Sequence, residues 1–242
     1  MWDQYGFLNM PWMSRVPLMT SLGNHEVLWY QTALWNGTDS GGECGVAIQK
    51  RYPMPSPPLP KGFEARASKG GKQQGISDTP FYSFDHGPVH FVLLSSEHAF
   101  DRASAQYAWL EADLAAVDRS ITPWLIVTAH RPMYVSSTNT GSPSSDMDVA
   151  ALLRAELEPL LLKHRVDAFF AGHHHSQQMT CAVANQTCAD AGSIARTKAY
   201  HRLDDASLSD VVREESSAAP PPPPPHGIVH FVVGAAGQWC NT

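Results

Sequence analysis

The chain has 242 residues, of which 43% are hydrophobic, enough to bury one good-sized core. Its formal net charge of −6 and its pI near 6.0 argue against a nucleic-acid-binding surface. No apolar run approaches the roughly 18 residues that a membrane-spanning helix needs, and no N-terminal segment resembles a signal peptide. Residues 1–5 are typical of the middle of a domain, so we expect a sequence truncated at its N-terminus.

The first predicted element is a short strand at residues 16–19, which leads into a Gly-Asn-His-Glu segment. In that segment Asn24 offers an amide oxygen and His25 an imidazole, two groups that bind metals. The alternative is a turn in which Asn24 caps a following helix. Residues 36–80 are rich in glycine and proline, so we expect a loop there without regular strand pairing.

A β-hairpin and a helix follow the loop. Residues 81–84 and 89–94 alternate like two strands around a tight turn. Residues 104–117 carry apolar side chains at helical spacing, with acidic side chains on the other faces. We therefore predict a hairpin that packs beside an amphipathic helix.

Two buried strands with a helix between them are predicted next. Residues 124–128 form a continuous apolar run that ends at His130. A second amphipathic helix is predicted over residues 147–162, and Pro159 should kink or shorten it. Residues 166–170 form another buried strand, which ends in a glycine and three consecutive histidines.

The rest of the chain is predicted to be a surface insertion and one last strand. Residues 190–226 lack a periodic pattern and end in a polyproline run, so we expect a mobile insertion. Residues 227–233 are predicted to be the final strand. The element order predicts an α/β fold, with a mixed β-sheet sandwich flanked by helices and incomplete at the N-terminus.

Three distant strand ends present ligand-type side chains. Asn24 and His25 follow the first strand, His130 follows another, and His173 and His175 follow a third. Ligands of open α/β sheets lie at the carboxyl edge of the strands, and neutral imidazole is a common metal ligand. The sequence therefore predicts one shared metal site at this edge.

The same segments resemble the last three of five signature blocks of the calcineurin-like metallophosphoesterases. They are Gly23-Asn24-His25-Glu26, Val127-Thr128-Ala129-His130 and Gly172-His173-His174-His175. The purple acid phosphatase branch is resembled further by the segments around residues 2–5, 40–46 and 52–55, and by His130-Arg131-Pro132-Met133-Tyr134. The resemblance covers most of residues 1–180. It implies that residues 1–242 are the C-terminal part of one metallophosphoesterase catalytic domain.

The resemblance implies an acid phosphatase that hydrolyses small phosphate monoesters with a metal-bound hydroxide at a dinuclear centre. Asn24, His130 and His173 would bind a divalent ion, namely zinc, manganese or iron. His175 would bind the second ion, Fe(III) in the purple members, and His25 would act as general acid from the outer sphere. His174 falls at a variable position of the block and is expected to be a spacer. No nucleic-acid or membrane partner is expected, and the sequence leaves the oligomeric state open.

The first two signature blocks, which supply two aspartates and a tyrosine to the metals, have no counterpart in the sequence. One alternative is therefore a non-catalytic or single-metal module that binds phosphate or a partner. A weaker alternative is a mononuclear zinc hydrolase with three imidazole ligands and Glu26 as its base.

Two local features favour an oxidising compartment. Cys181 and Cys188 flank a short polar turn and are expected to form a disulfide. Asn36 and Asn185 each begin an N-glycosylation acceptor pattern. We therefore expect a secreted, vacuolar or lysosomal glycoprotein.

Overall fold

The computed structural model describes residues 2–26, 46–61, 80–141, 145–189 and 226–234. These residues form one mixed seven-stranded sheet with strand order β1-β2-β3-β4-β7-β5-β6. The strands are β1 Tyr82–His86, β2 Val89–Leu93, β3 Trp124–Ala129, β4 Ala168–Ala171, β5 Gln177–Ala184, β6 Thr187–Cys188 and β7 Ile228–Val233. The helices are α1 Trp2–Met13, α2 Val46–Arg51, α3 Ala105–Ala116, α4 Asp146–Glu156 and α5 Glu158–Lys163. A mixed sheet with flanking helices, as predicted, is confirmed.

The central part of the sheet is parallel. Strands β2, β3, β4 and β7 run in the same direction, and the β1–β2, β7–β5 and β5–β6 pairs are antiparallel. The carboxyl ends of the four parallel strands therefore meet at one edge. Any side chain that directly follows these strands is delivered to that edge, where open sheets hold their ligands.

One face of the sheet packs against α3, α4 and α5. Val92, Val127 and Phe169 point to this face and share a buried cluster with the helix residues Leu110 and Leu153. All five are nearly inaccessible to solvent, so the strands are fixed in position by hydrophobic burial on the helix side. No helix among the described residues is long and apolar enough to cross a membrane.

Serine side chains set the starts of two helices. Ser104 accepts a hydrogen bond from the backbone N–H of Tyr107 at the start of α3, and Ser145 does the same for Asp148 at the start of α4. The predicted helix over residues 104–117 is confirmed. The helix predicted over 147–162 is interrupted near Pro159, as expected: it breaks at Leu157, and a new helix begins with Pro159 in its first turn. Proline lacks the N–H that an uninterrupted helix needs there, and the first turn tolerates it.

The hairpin, β3 and the final strand lie where the sequence predicts them, and the strand expected at 166–170 begins slightly later, as β4. The strand predicted at residues 16–19 is wrong, because the segment from Pro17 to Gly23 has no regular secondary structure and pairs with no strand of the described residues. It is held instead by Tyr82, whose hydroxyl donates a hydrogen bond to the Thr20 carbonyl at 2.8 Å.

Strands β5 and β6 form a hairpin that the sequence does not reveal. Its two strands carry the predicted disulfide, with Cys181 and Cys188 joined at a Cα–Cα distance of 5.7 Å. The Ala189 N–H donates to the Ala182 carbonyl at 2.7 Å, so the chain leaves the hairpin beside Ala182. It returns at Gly227, where an added Cβ would lie only 2.7 Å from the Ala182 carbonyl carbon. The predicted insertion lies, except for its last residue, outside the described residues.

Candidate metal centre

Three side chains from separate segments meet at the carboxyl edge of the sheet. His130 directly follows β3, His173 follows β4 after one glycine, and Asn24 lies in the turn at residues 24–26. The Nε2 atom of His130 is 2.7 Å from Oδ1 of Asn24 and 3.0 Å from Nδ1 of His173. Nδ1 of His173 is 3.2 Å from the same Asn24 oxygen. The three donor atoms therefore surround one point.

Backbone contacts explain why these segments approach so closely. The Gly172 N–H donates to the His130 carbonyl at 2.9 Å, which joins the ends of β3 and β4. Gly23 lies against the His130 ring, where a Cβ would be 2.9 Å from Nδ1, so only glycine leaves room for the imidazole. His173 has a φ of 61°, a left-handed conformation that a non-glycine residue adopts at some energetic cost.

The turn that carries Asn24 is closed by Glu26. One carboxylate oxygen of Glu26 accepts a hydrogen bond from the Gly23 N–H at 2.9 Å, and the Glu26 N–H donates to the Gly23 carbonyl at 3.0 Å. Burial raises the pKa of Glu26, while the backbone hydrogen bond and the nearby His25 oppose that shift. Glu26 therefore fixes the turn and is occupied by backbone contacts.

The spacing of the three donor atoms matches that of ligands around one ion. Ligands bound at about 2.1 Å lie about 3.0 Å apart at right angles and about 3.4 Å apart in a tetrahedron. The observed separations of 2.7–3.2 Å agree with the roughly 3.0 Å expected for ligands at right angles. One amide oxygen and two imidazole nitrogens also suit a divalent ion of intermediate softness. The residues present therefore fit a metal ion chemically and in spacing.

Electrostatics favours the neutral form of the two histidines. Burial lowers the pKa of His130 well below its usual value, and the positive charges of His173 and Arg131 lower it further. Burial and Arg131 also lower the pKa of His173, while Asp146 opposes the shift. Because only a neutral imidazole has a lone pair for a metal, the environment keeps both rings ready to bind one.

The remaining predicted site residues lie beside this trio. His25 and His175 are exposed, and their charges contribute to the lowered pKa of His130, so both lie near it. His174 is partly buried, with Nδ1 at 2.8 Å from the Ser176 hydroxyl. Within the described residues, no group of three or more histidine, cysteine, aspartate or glutamate side chains is arranged to hold a metal ion. A three-imidazole zinc site is therefore not formed there.

A family model described as calcineurin-like phosphoesterase matches residues 2–177. The chain belongs to that family. An Arabidopsis thaliana protein named "Probable inactive purple acid phosphatase 9" is 37% identical over 78% of this chain and 28% of its own length. "Purple acid phosphatase 23" of the same plant is 34% identical over 80% of this chain and 36% of its own length. The chain thus spans about a third of the curated relatives it matches.

A solved structure shows the same phosphatase fold. The purple acid phosphatase PPD1 from yellow lupin (Lupinus luteus) seeds is 28% identical in sequence and superposes with a TM-score of 0.65. The match covers 97% of this chain and 34% of the lupin chain. Sequence and structure therefore agree that this calcineurin-like phosphoesterase is of the purple acid phosphatase type.

Three charged residues behind the trio were missed in the sequence reasoning. Arg131 and Glu97 are buried and form an ion pair, with Nε and Oε1 2.8 Å apart. Asp146, in the first turn of α4, places Oδ1 3.2 Å from Nε2 of His173. Arg131 directly follows His130 in the segment that resembles the family, but its residue type alone does not indicate a contact with His173. Asp146 is 27 residues from His173, and no spacing pattern in the sequence links them.

Proposed function

We propose that this chain forms part of the active site of an acid phosphatase that hydrolyses phosphate monoesters at a dinuclear metal centre. Membership of the calcineurin-like phosphoesterase family supports phosphoester hydrolysis in general. The convergence of Asn24, His130 and His173 on one point is the observation that carries the proposal. Three segments far apart in sequence each bring a metal-binding side chain to this point.

Each site residue has a role in this proposal. Asn24, His130 and His173 hold a divalent ion, either zinc, manganese or iron, and His175 binds a second ion, Fe(III). When bound, two such ions stabilise the charge on the phosphoryl oxygens and activate a water molecule. His25 is exposed at the rim, where its imidazole donates a proton to the departing alkoxide.

A second candidate is a module of the same family that binds phosphate or a partner without catalysis. The relative named as probably inactive favours it. So does the absence, within the described residues, of a group of three or more histidine, cysteine or carboxylate side chains placed to hold a metal. In this case a single ion at Asn24, His130 and His173 would serve for binding.

An oxidising compartment is part of the proposal. The Cys181–Cys188 disulfide closes the β5–β6 hairpin, and Asn185 lies exposed at its turn in an acceptor pattern for N-glycosylation. We therefore propose that the protein is a secreted, vacuolar or lysosomal glycoprotein. Enzymatic removal of N-glycans from the native protein should lower its mass. If Asn185→Gln no longer shows this decrease in mass, the glycan is attached to Asn185. An unchanged mass would contradict this part.

The test of function compares metal content and turnover at acidic pH. With p-nitrophenyl phosphate as substrate, His130→Ala and His173→Ala should lose both metal and activity, because each removes a ligand. His25→Ala should keep its metal and lose rate by about 10²–10⁴-fold, the usual contribution of a positioned acid. His86→Ala, at an exposed hairpin turn, is the matched control and should leave both unchanged.

Two proteins should be assayed: the 242-residue chain alone, and the same chain joined to a segment that supplies the two signature blocks it lacks. Stoichiometric metal without turnover in both would favour the binding module. Preference for bis(p-nitrophenyl) phosphate would replace the monoester class by diesters. Metal retained in His130→Ala and His173→Ala alike would contradict the assigned centre.

A further inference from the structure

The His173 ring faces different partners on its two sides. Nδ1 lies toward the metal centre, 3.0 Å from Nε2 of His130 and 3.2 Å from Oδ1 of Asn24. Nε2 lies on the opposite side, 3.2 Å from Oδ1 of Asp146 and 3.2 Å from Nη1 of Arg131. One of these partners of Nε2 accepts hydrogen bonds and the other only donates them.

A neutral imidazole carries one proton, so the two partners of Nε2 favour different tautomers. If Nε2 carries the proton, it donates to Asp146 and the lone pair on Nδ1 is free for a metal. If Nδ1 carries the proton, Nε2 accepts from Arg131 and the Nδ1–H donates to Asn24. The second arrangement places Oδ1 of Asp146 against the lone pair on Nε2 and leaves His173 unable to bind a metal in the trio.

The structure fixes Asp146 in a position to accept the hydrogen bond from Nε2 that the first arrangement requires. It lies in the first turn of α4, whose start is fixed by the Ser145 cap, and it is only 9% exposed. Its other oxygen, Oδ2, accepts a hydrogen bond from the Ser137 hydroxyl at 2.7 Å. The amino end of a helix also favours a negative charge at this position.

We propose that Asp146 is a positioning residue of the metal centre, which accepts a hydrogen bond from Nε2 of His173 and thereby keeps Nδ1 free to bind the ion. The inference rests on the proposed function, since it assigns a role relative to that centre. Carboxylates that orient metal-binding histidines in this way commonly change metal affinity by about 10–100-fold when removed.

The first measurement is made on the metal-free chain. Long-range ¹H–¹⁵N correlation spectra distinguish the two imidazole tautomers, and the His173 signals are assigned by their loss in His173→Ala. The unaltered chain should show the proton on Nε2. In Asp146→Ala it should move to Nδ1, since Arg131 then remains as a partner of Nε2. The same tautomer in both proteins would overturn the proposal.

The second measurement is zinc affinity by calorimetric titration. Asp146→Ala should weaken binding by about 10–100-fold, and Asp146→Asn by less, because the amide oxygen still accepts a hydrogen bond. Asp148→Asn is the matched control: it changes an exposed carboxylate in the same helical turn that accepts hydrogen bonds from Ser145 and Gly141. Its zinc affinity should equal that of the unaltered chain.

These readouts separate the proposal from the function it rests on. If the unaltered chain binds no zinc, the proposed function fails, and the tautomer in the metal-free chain still decides the role of Asp146. If zinc binds equally well to the unaltered chain, Asp146→Ala and Asp146→Asn, the positioning role is refuted and the metal centre stands. Should Asp146→Ala not fold, Asp146→Leu takes its place, because leucine has a similar size and no acceptor; an unchanged tautomer and zinc affinity in Asp146→Leu would refute the proposal.

Discussion

Replacing His230 by phenylalanine should make the protein more resistant to acid. His230 lies in β7, is 2% exposed, and packs between the rings of Tyr134 and Phe169 at centroid distances of 4.6 and 5.5 Å. Neither ring nitrogen has a hydrogen-bond partner within the described part of the chain. Burial lowers the pKa of His230 to about 3, and the positive charge of Arg154 adds to the shift.

The sign of the effect follows from proton linkage. The pKa of His230 in the folded protein lies below its value of about 6.5 in the unfolded chain. The neutral ring therefore contributes its full share of stability above about pH 6.5, and this share is lost as the pH falls toward the pKa of the folded state. At about pH 5, protonation of this histidine in the unfolded chain raises the unfolding equilibrium constant by a factor of about 30. The free energy of unfolding therefore falls by about 2 kcal/mol.

The assay is urea denaturation of both proteins, followed by tryptophan fluorescence, between about pH 7.5 and pH 5. Phenylalanine fills the same aromatic stack without a titrating group. Its larger ring changes the free energy of unfolding by an amount that does not depend on pH. The stability difference between His230→Phe and the parent should grow by about 2 kcal/mol as the pH falls through this range. His86→Phe, at an exposed turn, should show no such growth. Parallel pH curves for His230→Phe and the parent would refute the reasoning.

Three further predictions concern single features. Replacing Cys181 and Cys188 together by serine should lower the free energy of unfolding by about 2–3 kcal/mol, because the disulfide closes a short loop; equal urea midpoints would contradict this. Gly23→Ala should weaken zinc binding at least about tenfold with an unchanged circular dichroism spectrum, since the new Cβ would displace the His130 ring; unaltered affinity would show that the ring adjusts. His174→Ala should change zinc affinity less than about threefold, because its ring contacts Ser176 and not the donor trio; loss of zinc would make His174 a ligand.

The sequence predicts the sheet's centre well because its strands are buried on the helix side. Residues 124–128 and 166–170 are nearly continuous apolar runs, and such runs specify a buried strand without reference to the rest of the fold. The same runs place His130 and His173 at strand ends, so the meeting of these two residues was predictable from the topology of a parallel sheet. Asn24 follows no strand of that sheet, so its position beside them was not.

The elements that were missed lack a hydrophobic period. α1 exposes Phe7 and Leu8 and contains Pro11, so neither amphipathic spacing nor composition indicates a helix. β5 begins Gln177-Gln178 and does not alternate cleanly between apolar and polar residues. Residues 16–19 form no strand, and the segment is held by a long-range hydrogen bond from Tyr82 to the Thr20 carbonyl, which a local pattern cannot predict. The role of Asp146 could not be predicted from a local pattern either, because only the tertiary structure brings it to His173.

Ala189 and Gly227, which flank residues 190–226, both lie beside Ala182 on β5. Both ends of the intervening segment are anchored to the same point on β5, so the sheet imposes no particular length on it. Doubling the length of a flexible loop between fixed ends adds only about 0.6 kcal/mol of closure entropy. Relatives should therefore tolerate exchanges of this segment, by splicing or by repeat expansion, with little effect on the sheet edge that carries the histidines.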